Sequence, residues 1–296
     1  MPQFPSFLVI GTGKSGTSSI HEYLRQHPLI SLPRRKETHF FICDRDSDFS
    51  GKNFEGRVLE DPIDNLADYL ADFENKPDAC FFGEVCPTYI FVPTTPANIK
   101  KYIPDVKIVA ILRNPVDRLY SNYNFNTEDN SLQEFTSLID GLPRLPAYGT
   151  NFRRWVLEGF YAESLQLYYS LFPAGSIKVF LFDDLIEDPG KLMGELLDFV
   201  GIPQYEFNTG QKFNTSGKIR LKLLKRFIKR IGLAARLRRL LPVKTYQKLR
   251  ASAEKFFFKK SDPIPADIRR KLMEYYKEDI LATQNLIQRD LSAWLN

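Results

Sequence analysis

Residues 7–19 read Phe-Leu-Val-Ile-Gly-Thr-Gly-Lys-Ser-Gly-Thr-Ser-Ser, an apolar strand running straight into a turn of small residues around one lysine. A helix follows, with Ile20, Tyr23 and Leu24 as its apolar stripe. Strand, glycine turn and helix in this order make an anion cradle. Glycines let the backbone approach a phosphate, and the first amides of the helix and its positive dipole end face the anion. Lys14 adds a full charge, and Thr17, Ser18 and Ser19 add hydroxyl donors. The chain is therefore expected to hold a phosphorylated ligand near its N-terminal end.

Two common phosphate loops do not fit. The nucleoside-triphosphate loop G-x-x-x-x-G-K-[ST] would use Gly13-Lys14-Ser15 and needs Gly at position 8, where the chain has Leu8. The apolar strand 107–112 ends at Arg113 instead of an Asp suited to magnesium. The dinucleotide pattern G-x-G-x-x-G is met by Gly11, Gly13 and Gly16, but no strand ending in Asp or Glu follows about 20 residues later.

A shorter loop of the K-x-G-T-[ST]-[ST] kind suits a single 5′-phosphate. At Lys14-Ser15-Gly16-Thr17-Ser18-Ser19 the chain resembles the sulfotransferases that use 3′-phosphoadenosine 5′-phosphosulfate (PAPS). A second segment, Ile111-Leu112-Arg113-Asn114-Pro115-Val116-Asp117-Arg118-Leu119-Tyr120-Ser121, resembles the family's 3′-phosphate motif. Lys36-Glu37-Thr38-His39-Phe40-Phe41 and Gly83-Glu84-Val85-Cys86-Pro87-Thr88-Tyr89 resemble the glycan-type branch, which includes the heparan sulfate N- and 3-O-sulfotransferases. The four motifs stand in the family's order.

The resemblance implies an α/β fold: a parallel sheet flanked by helices, the P-loop-like sulfotransferase fold, with a helical C-terminal part. It implies sulfuryl transfer from PAPS to a hydroxyl or amine, with PAP as product, no metal, and a carbohydrate or glycolipid acceptor. Lys14 would stabilise the leaving 5′-phosphate, and Ser15, Gly16, Thr17 and Ser18 would hold it. Arg113 and Ser121 would take the 3′-phosphate. Tyr161 resembles a position near the adenine, and packing in an amphipathic helix is the equal alternative. Lys218 and Arg220 resemble a loop that contacts the 3′-phosphate. The base is one of Glu37, His39 and Glu84. Glu37 matches the position that supplies the base in 3-O-type relatives, and Glu84 the one that does so in the N-sulfo type. Many relatives follow that Glu with Lys, and Val85 stands here instead. A structural role for Glu84, bonding Lys14 or backbone amides, is equally open. His39 can orient Glu37, act itself, or pack against Phe40 and Phe41.

The second motif also makes sense from elementary physics. An apolar run ends in Arg113, Asn114-Pro115 breaks it, and Pro suits a first helical turn. Arg offers a planar fork to a phosphate, and Ser121 a hydroxyl.

At 296 residues the chain can bury a full core as one domain, residues 1–296. Strands are expected at 6–10, 80–85, 107–112 and 177–182. Helices are expected at 17–26, 64–74, 115–126, 159–171, 190–200, 218–231, 245–258 and 265–287. Alternating strands and helices argue for a parallel sheet covered on both faces, with ligands at the carboxyl ends of the strands. Lys14, Glu84 and Arg113 should then share one rim. The stretch 127–158 reads as a loop able to shape an acceptor cleft.

Three cysteines without C-x-x-C, and an N-terminal segment without a signal-peptide core, fit a cytoplasmic, bacterial-type enzyme. No apolar run is long enough to span a membrane. Three dispersed histidines suggest no metal cluster. Residues 207–253 hold 14 Lys or Arg and no acid, so the rest of the chain has 27 basic residues against 36 acidic ones. This segment reads as a lid over the donor, a peripheral membrane contact through 218–250, or a solvated face. Nucleic-acid binding is disfavoured, because no aromatic residues alternate with the charges in a readable pattern. Two other functions stay open: a P-loop-type small-molecule kinase, and a non-catalytic nucleotide- or membrane-binding module.

Overall fold

A computed structural model of the chain describes residues 4–43, 53–54, 57–58, 62–127, 131–142, 151–210, 218–219, 258–259 and 262–296. In chain order the elements are β1 Phe7–Gly11, α1 Thr17–Leu24, β2 Ile30–Ser31, α2 Phe40–Cys43, β3 Asn53–Phe54, β4 Arg57–Val58, α3 Leu66–Ala71 and β5 Phe81–Val85. There follow α4 Thr95–Tyr102, β6 Lys107–Leu112, α5 Pro115–Asn126, α6 Leu132–Asp140, α7 Asn151–Leu157, α8 Ala162–Leu171 and β7 Ile177–Leu181. The rest are α9 Phe182–Glu187, α10 Pro189–Val200, β8 Lys218–Ile219, β9 Phe258–Lys259, α11 Ala266–Ile287 and a 3₁₀ turn at Ser292–Leu295.

Five strands form one sheet in the order β2-β5-β1-β6-β7, and every pairing in it is parallel. The expected α/β class, a parallel sheet flanked by helices, is borne out. Side chains of a strand alternate between faces, so a sheet covered on both sides needs apolar residues at consecutive positions. Leu8, Ile10, Ile108, Ala110 and Leu112 join one core with Val116, Leu119, Leu165 and Leu272. Phe7, Val9, Val109 and Ile111 join a second core with Ile20, Leu24, Leu192 and Leu196. This two-sided burial is why the strands read as unbroken apolar runs.

The structure corrects several expected elements. Helices α6 and α7 occupy much of the stretch read as a loop over 127–158. Ser131 starts α6 by accepting a bond from the Glu134 amide, and Phe135 and Ile139 are its buried side. Helix α8 begins at Ala162, so Tyr161 is its N-cap rather than a residue inside it. Helices expected at 218–231 and 245–258 conflict with β8 and β9, which pair antiparallel, Lys218 with Lys259 and Ile219 with Phe258. The rest of those two ranges, Arg220 included, lies outside the described residues, as does the basic segment from 220 onward.

Candidate active site

β5, β1 and β6 are neighbours at the centre of the sheet. Their carboxyl ends bring three segments from distant parts of the sequence to one rim. The first is Thr12–Gly16, between β1 and α1. Gly16 caps α1 with φ 88°, and a Cβ there would lie 2.3 Å from Leu185 Cδ2. Position 16 is thus limited to glycine by its backbone and by packing. The Thr12 and Ser15 hydroxyls are 2.5 Å apart, so Ser15 braces the loop itself. The Ser19 and Ile20 amides both bond the Gly16 carbonyl, whereas the Thr17 and Ser18 amides find no carbonyl among the described backbone. Two first-turn donors are thus without a backbone partner among the described residues. At Gly13 a Cβ would meet no heavy atom within 4 Å.

The second segment is the corner after β6. Asn114 caps α5 by accepting a bond from the Val116 amide (3.0 Å), with Pro115 in the first turn. Arg113 donates to the Lys14 carbonyl (3.0 Å), which ties the two loops together. Its guanidinium lies over the Phe182 ring, 4.5 Å from the centroid. Phe182 also packs under Gly16, so the start of α9 floors both loops. Ser121 is buried on α5.

Three cations meet here. Burial, the Arg113 charge and the Lys36 charge lower the Lys14 ammonium from 10.5 to about 8. Burial also lowers Arg113, against the opposing pull of Asp117 and Asp183. Lys14 Nζ rests 3.8 Å from the centroid of the exposed Phe125 ring, and no described carboxylate pairs with it. An anion in the cradle would relieve this repulsion. Neither Lys36 nor Phe125 is among the residues singled out from the sequence. Lys36 stands inside a recognised motif, but Phe125 carries no sequence signal.

The third segment is 36–41, beside β5. Lys36 Nζ pairs with Glu37 Oε1 at 2.5 Å, and the Glu37 side chain is 31% exposed. The same lysine acts on Lys14, which links Glu37 to the cradle through one ion pair. His39 is buried, with Nδ1 3.5 Å from Cys86 Sγ. Lys14, Glu37 and His39 all have positive φ, at 69°, 64° and 58°. Left-handed backbone is unfavourable for such residues and gathers at functional sites.

Glu84 is not a partner of Lys14. It is 1% exposed, and three hydroxyls donate to it: Thr38 (2.5 Å), Tyr69 (2.8 Å) and Tyr89 (2.9 Å). Burial raises its pKa against these bonds. Tyr161 is fully buried, so its ring offers no open face to a purine. Its hydroxyl donates to the Arg113 carbonyl (2.8 Å), and its ring packs edge-on against Trp294. It therefore meets the rim through Arg113. Of Lys218 only the backbone pairing is described, and Arg220 lies outside the described residues.

Residues 4–216 match the family described as the sulfotransferase domain. The chain belongs to this family. The resemblance read from the motifs is thereby borne out, glycan-type relatives included. The mouse bifunctional heparan sulfate N-deacetylase/N-sulfotransferase 4 is 27% identical over 224 residues, covering 71% of this chain and 24% of that protein. Mouse heparan sulfate glucosamine 3-O-sulfotransferase 6 is 28% identical over 222 residues, covering 72% of this chain and 57% of that protein. The chain thus spans between a quarter and somewhat over half the length of these sulfotransferase relatives. A solved sulfotransferase from Alicyclobacillus acidocaldarius superposes with a TM-score of 0.69 at 26% identity, over 99% of this chain and 100% of that one. No described helix is long and apolar enough to cross a membrane. Among the described residues, no group of three or more His, Cys, Asp or Glu is placed to hold a metal ion.

Proposed function

We propose that this sulfotransferase-family chain transfers a sulfuryl group from PAPS to a hydroxyl or amine of a carbohydrate acceptor. One observation carries the donor reading: Lys14, Arg113 and Lys36 gather beside a helix N-terminus whose Thr17 and Ser18 amides meet no described backbone carbonyl, and no described carboxylate pairs with Lys14. The cradle fits an anion with two separate phosphate positions. PAPS would bring a sulfuryl group already activated on a 5′-phosphate.

The roles follow from position. Thr17 and Ser18, with their amides, hold the 5′-phosphate, and Lys14 stabilises the charge that grows on it as the group departs. Arg113 and Ser121 take the 3′-phosphate. Glu37 receives the acceptor proton. Its carboxylate reaches solvent, whereas Glu84 is enclosed by three hydroxyls and His39 is buried. Glu84 instead fixes Thr38, and through it the backbone that carries Glu37. The heparan sulfate relatives support a glycan acceptor.

The test is thermal shift in EDTA with adenosine 3′,5′-bisphosphate against ATP, followed by transfer from labelled PAPS to a glycan panel. The bisphosphate should stabilise the protein more than ATP does. Equal or larger stabilisation by ATP would refute the donor reading and favour a kinase.

A further inference from the structure

The segment Arg289–Leu295 lies beyond the part of the chain that matches the family, yet it reaches the rim where Arg113 sits. Asn114, next to Arg113 and the cap of α5, donates its side-chain amide to the Trp294 carbonyl (3.3 Å). The Trp294 ring packs edge-on against Tyr161, 6.3 Å between centroids, and Tyr161 in turn bonds the Arg113 carbonyl. Trp294 Nε1 donates to Asp183 Oδ2 (3.4 Å), and Asp183 is one of the acids whose field acts on Arg113. Asp183 follows Phe182, whose ring lies under the guanidinium. Arg289 pairs through both terminal nitrogens with Asp184 (Nη1 to Oδ2, 2.6 Å), and Asp184 also caps α9 through the Leu181 amide. Three neighbours of Arg113, namely Asn114, Tyr161 and Asp183, are thus each in contact with Trp294, whereas Asp117 is held by Arg269 on α11.

We propose that Trp294 is a positioning residue for Arg113, holding its guanidinium for the phosphate at the 3′ side of the donor. This rests on the donor reading above. A side chain 3% exposed can also serve stability alone, so the test must separate the two roles. A purely structural loss weakens every nucleotide alike. A loss of Arg113 positioning weakens only ligands that carry a 3′-phosphate.

The experiment is calorimetric titration of adenosine 3′,5′-bisphosphate and adenosine 5′-monophosphate against wild type, Trp294→Ala and Trp294→Phe. Wild type should prefer the bisphosphate. In Trp294→Ala that preference should fall by about tenfold, the scale of one charge-assisted hydrogen bond, with the monophosphate affinity held. Trp294→Phe keeps the ring and loses the Asp183 bond, so it answers even where the alanine variant fails to fold. Its preference should fall part of the way. An unchanged preference in Trp294→Phe, or equal loss for both ligands, would overturn the positioning role. A wild type without preference would refute the donor reading itself.

Discussion

Replacing Lys14 by Met should make the ligand-free protein more stable while removing its response to the donor. Lys14 is half-buried beside Arg113 and Lys36, and its pKa falls from 10.5 to about 8. That gap corresponds to about 3 kcal/mol of destabilisation at neutral pH. Met keeps the buried stem but loses the contact with Phe125, about 0.5–1 kcal/mol. The net gain is about 2 kcal/mol at pH 7, or roughly 5 °C in Tm for a chain of this size. Between pH 8 and 10.5 the unfolded chain binds more protons at this residue than the folded one. Wild type is therefore fully destabilised by Lys14 below pH 8 and recovers as pH rises above it. The difference between variant and wild type should shrink to under about 1 kcal/mol by pH 10. Urea denaturation at pH 7 and pH 10 reads both values, and thermal shift with adenosine 3′,5′-bisphosphate reads the lost response. A Lys14→Met protein no more stable than wild type at pH 7, or a difference that ignores pH, would refute the idea of an uncompensated cation.

Three further outcomes are expected. Arg113→Ala should weaken the bisphosphate by about ten- to a hundredfold, the worth of a charge-assisted hydrogen bond to phosphate, and titration should show the monophosphate much less affected. Glu37→Gln should leave the donor Kd unchanged and lower transfer from labelled PAPS by about 10²–10⁴-fold; retained transfer would move the base to His39. Gly16→Ala should cost about 1–3 kcal/mol in urea unfolding, and Leu185→Ala in the same chain should recover only the steric part, because φ 88° persists.

The main layers of this molecule could be read from residues alone because burial on both faces leaves a plain signal. The runs at 107–112 and 177–182 became β6 and β7 nearly as expected. β2 escaped notice because two residues, Ile30 and Ser31, carry no period. α4 was hidden by Thr94-Thr95-Pro96, which reads as a turn although Pro is at home in a first helical turn. At the rim, Arg113 was legible because it directly follows an apolar strand, and Lys14 because it stands in the small-residue turn between β1 and α1. The surroundings of Glu84 were not legible. Its partners Thr38, Tyr69 and Tyr89 come from three separate stretches, and their meeting is a product of tertiary packing. The left-handed backbone at 14, 37 and 39 was equally hidden, since these residue types ordinarily avoid it. Tyr161 shows the converse: its position near the site was expected, but its burial turns it from a wall of the pocket into a strut.

The ring of Phe125 under the Lys14 ammonium gives the cradle a particular economy. A carboxylate in that place would be a permanent counter-ion, and an incoming phosphate would have to displace it against a full charge. An aromatic face attracts the ammonium by only about 0.5–1 kcal/mol where it is exposed. Such a face carries no net charge, so it would neither repel an incoming anion nor hold the ammonium against one. Phe125 thus works as a weak, replaceable stand-in for the phosphate. It leaves the cradle's positive field intact, and an anion needs to outcompete only about 0.5–1 kcal/mol of ring attraction to draw the ammonium away.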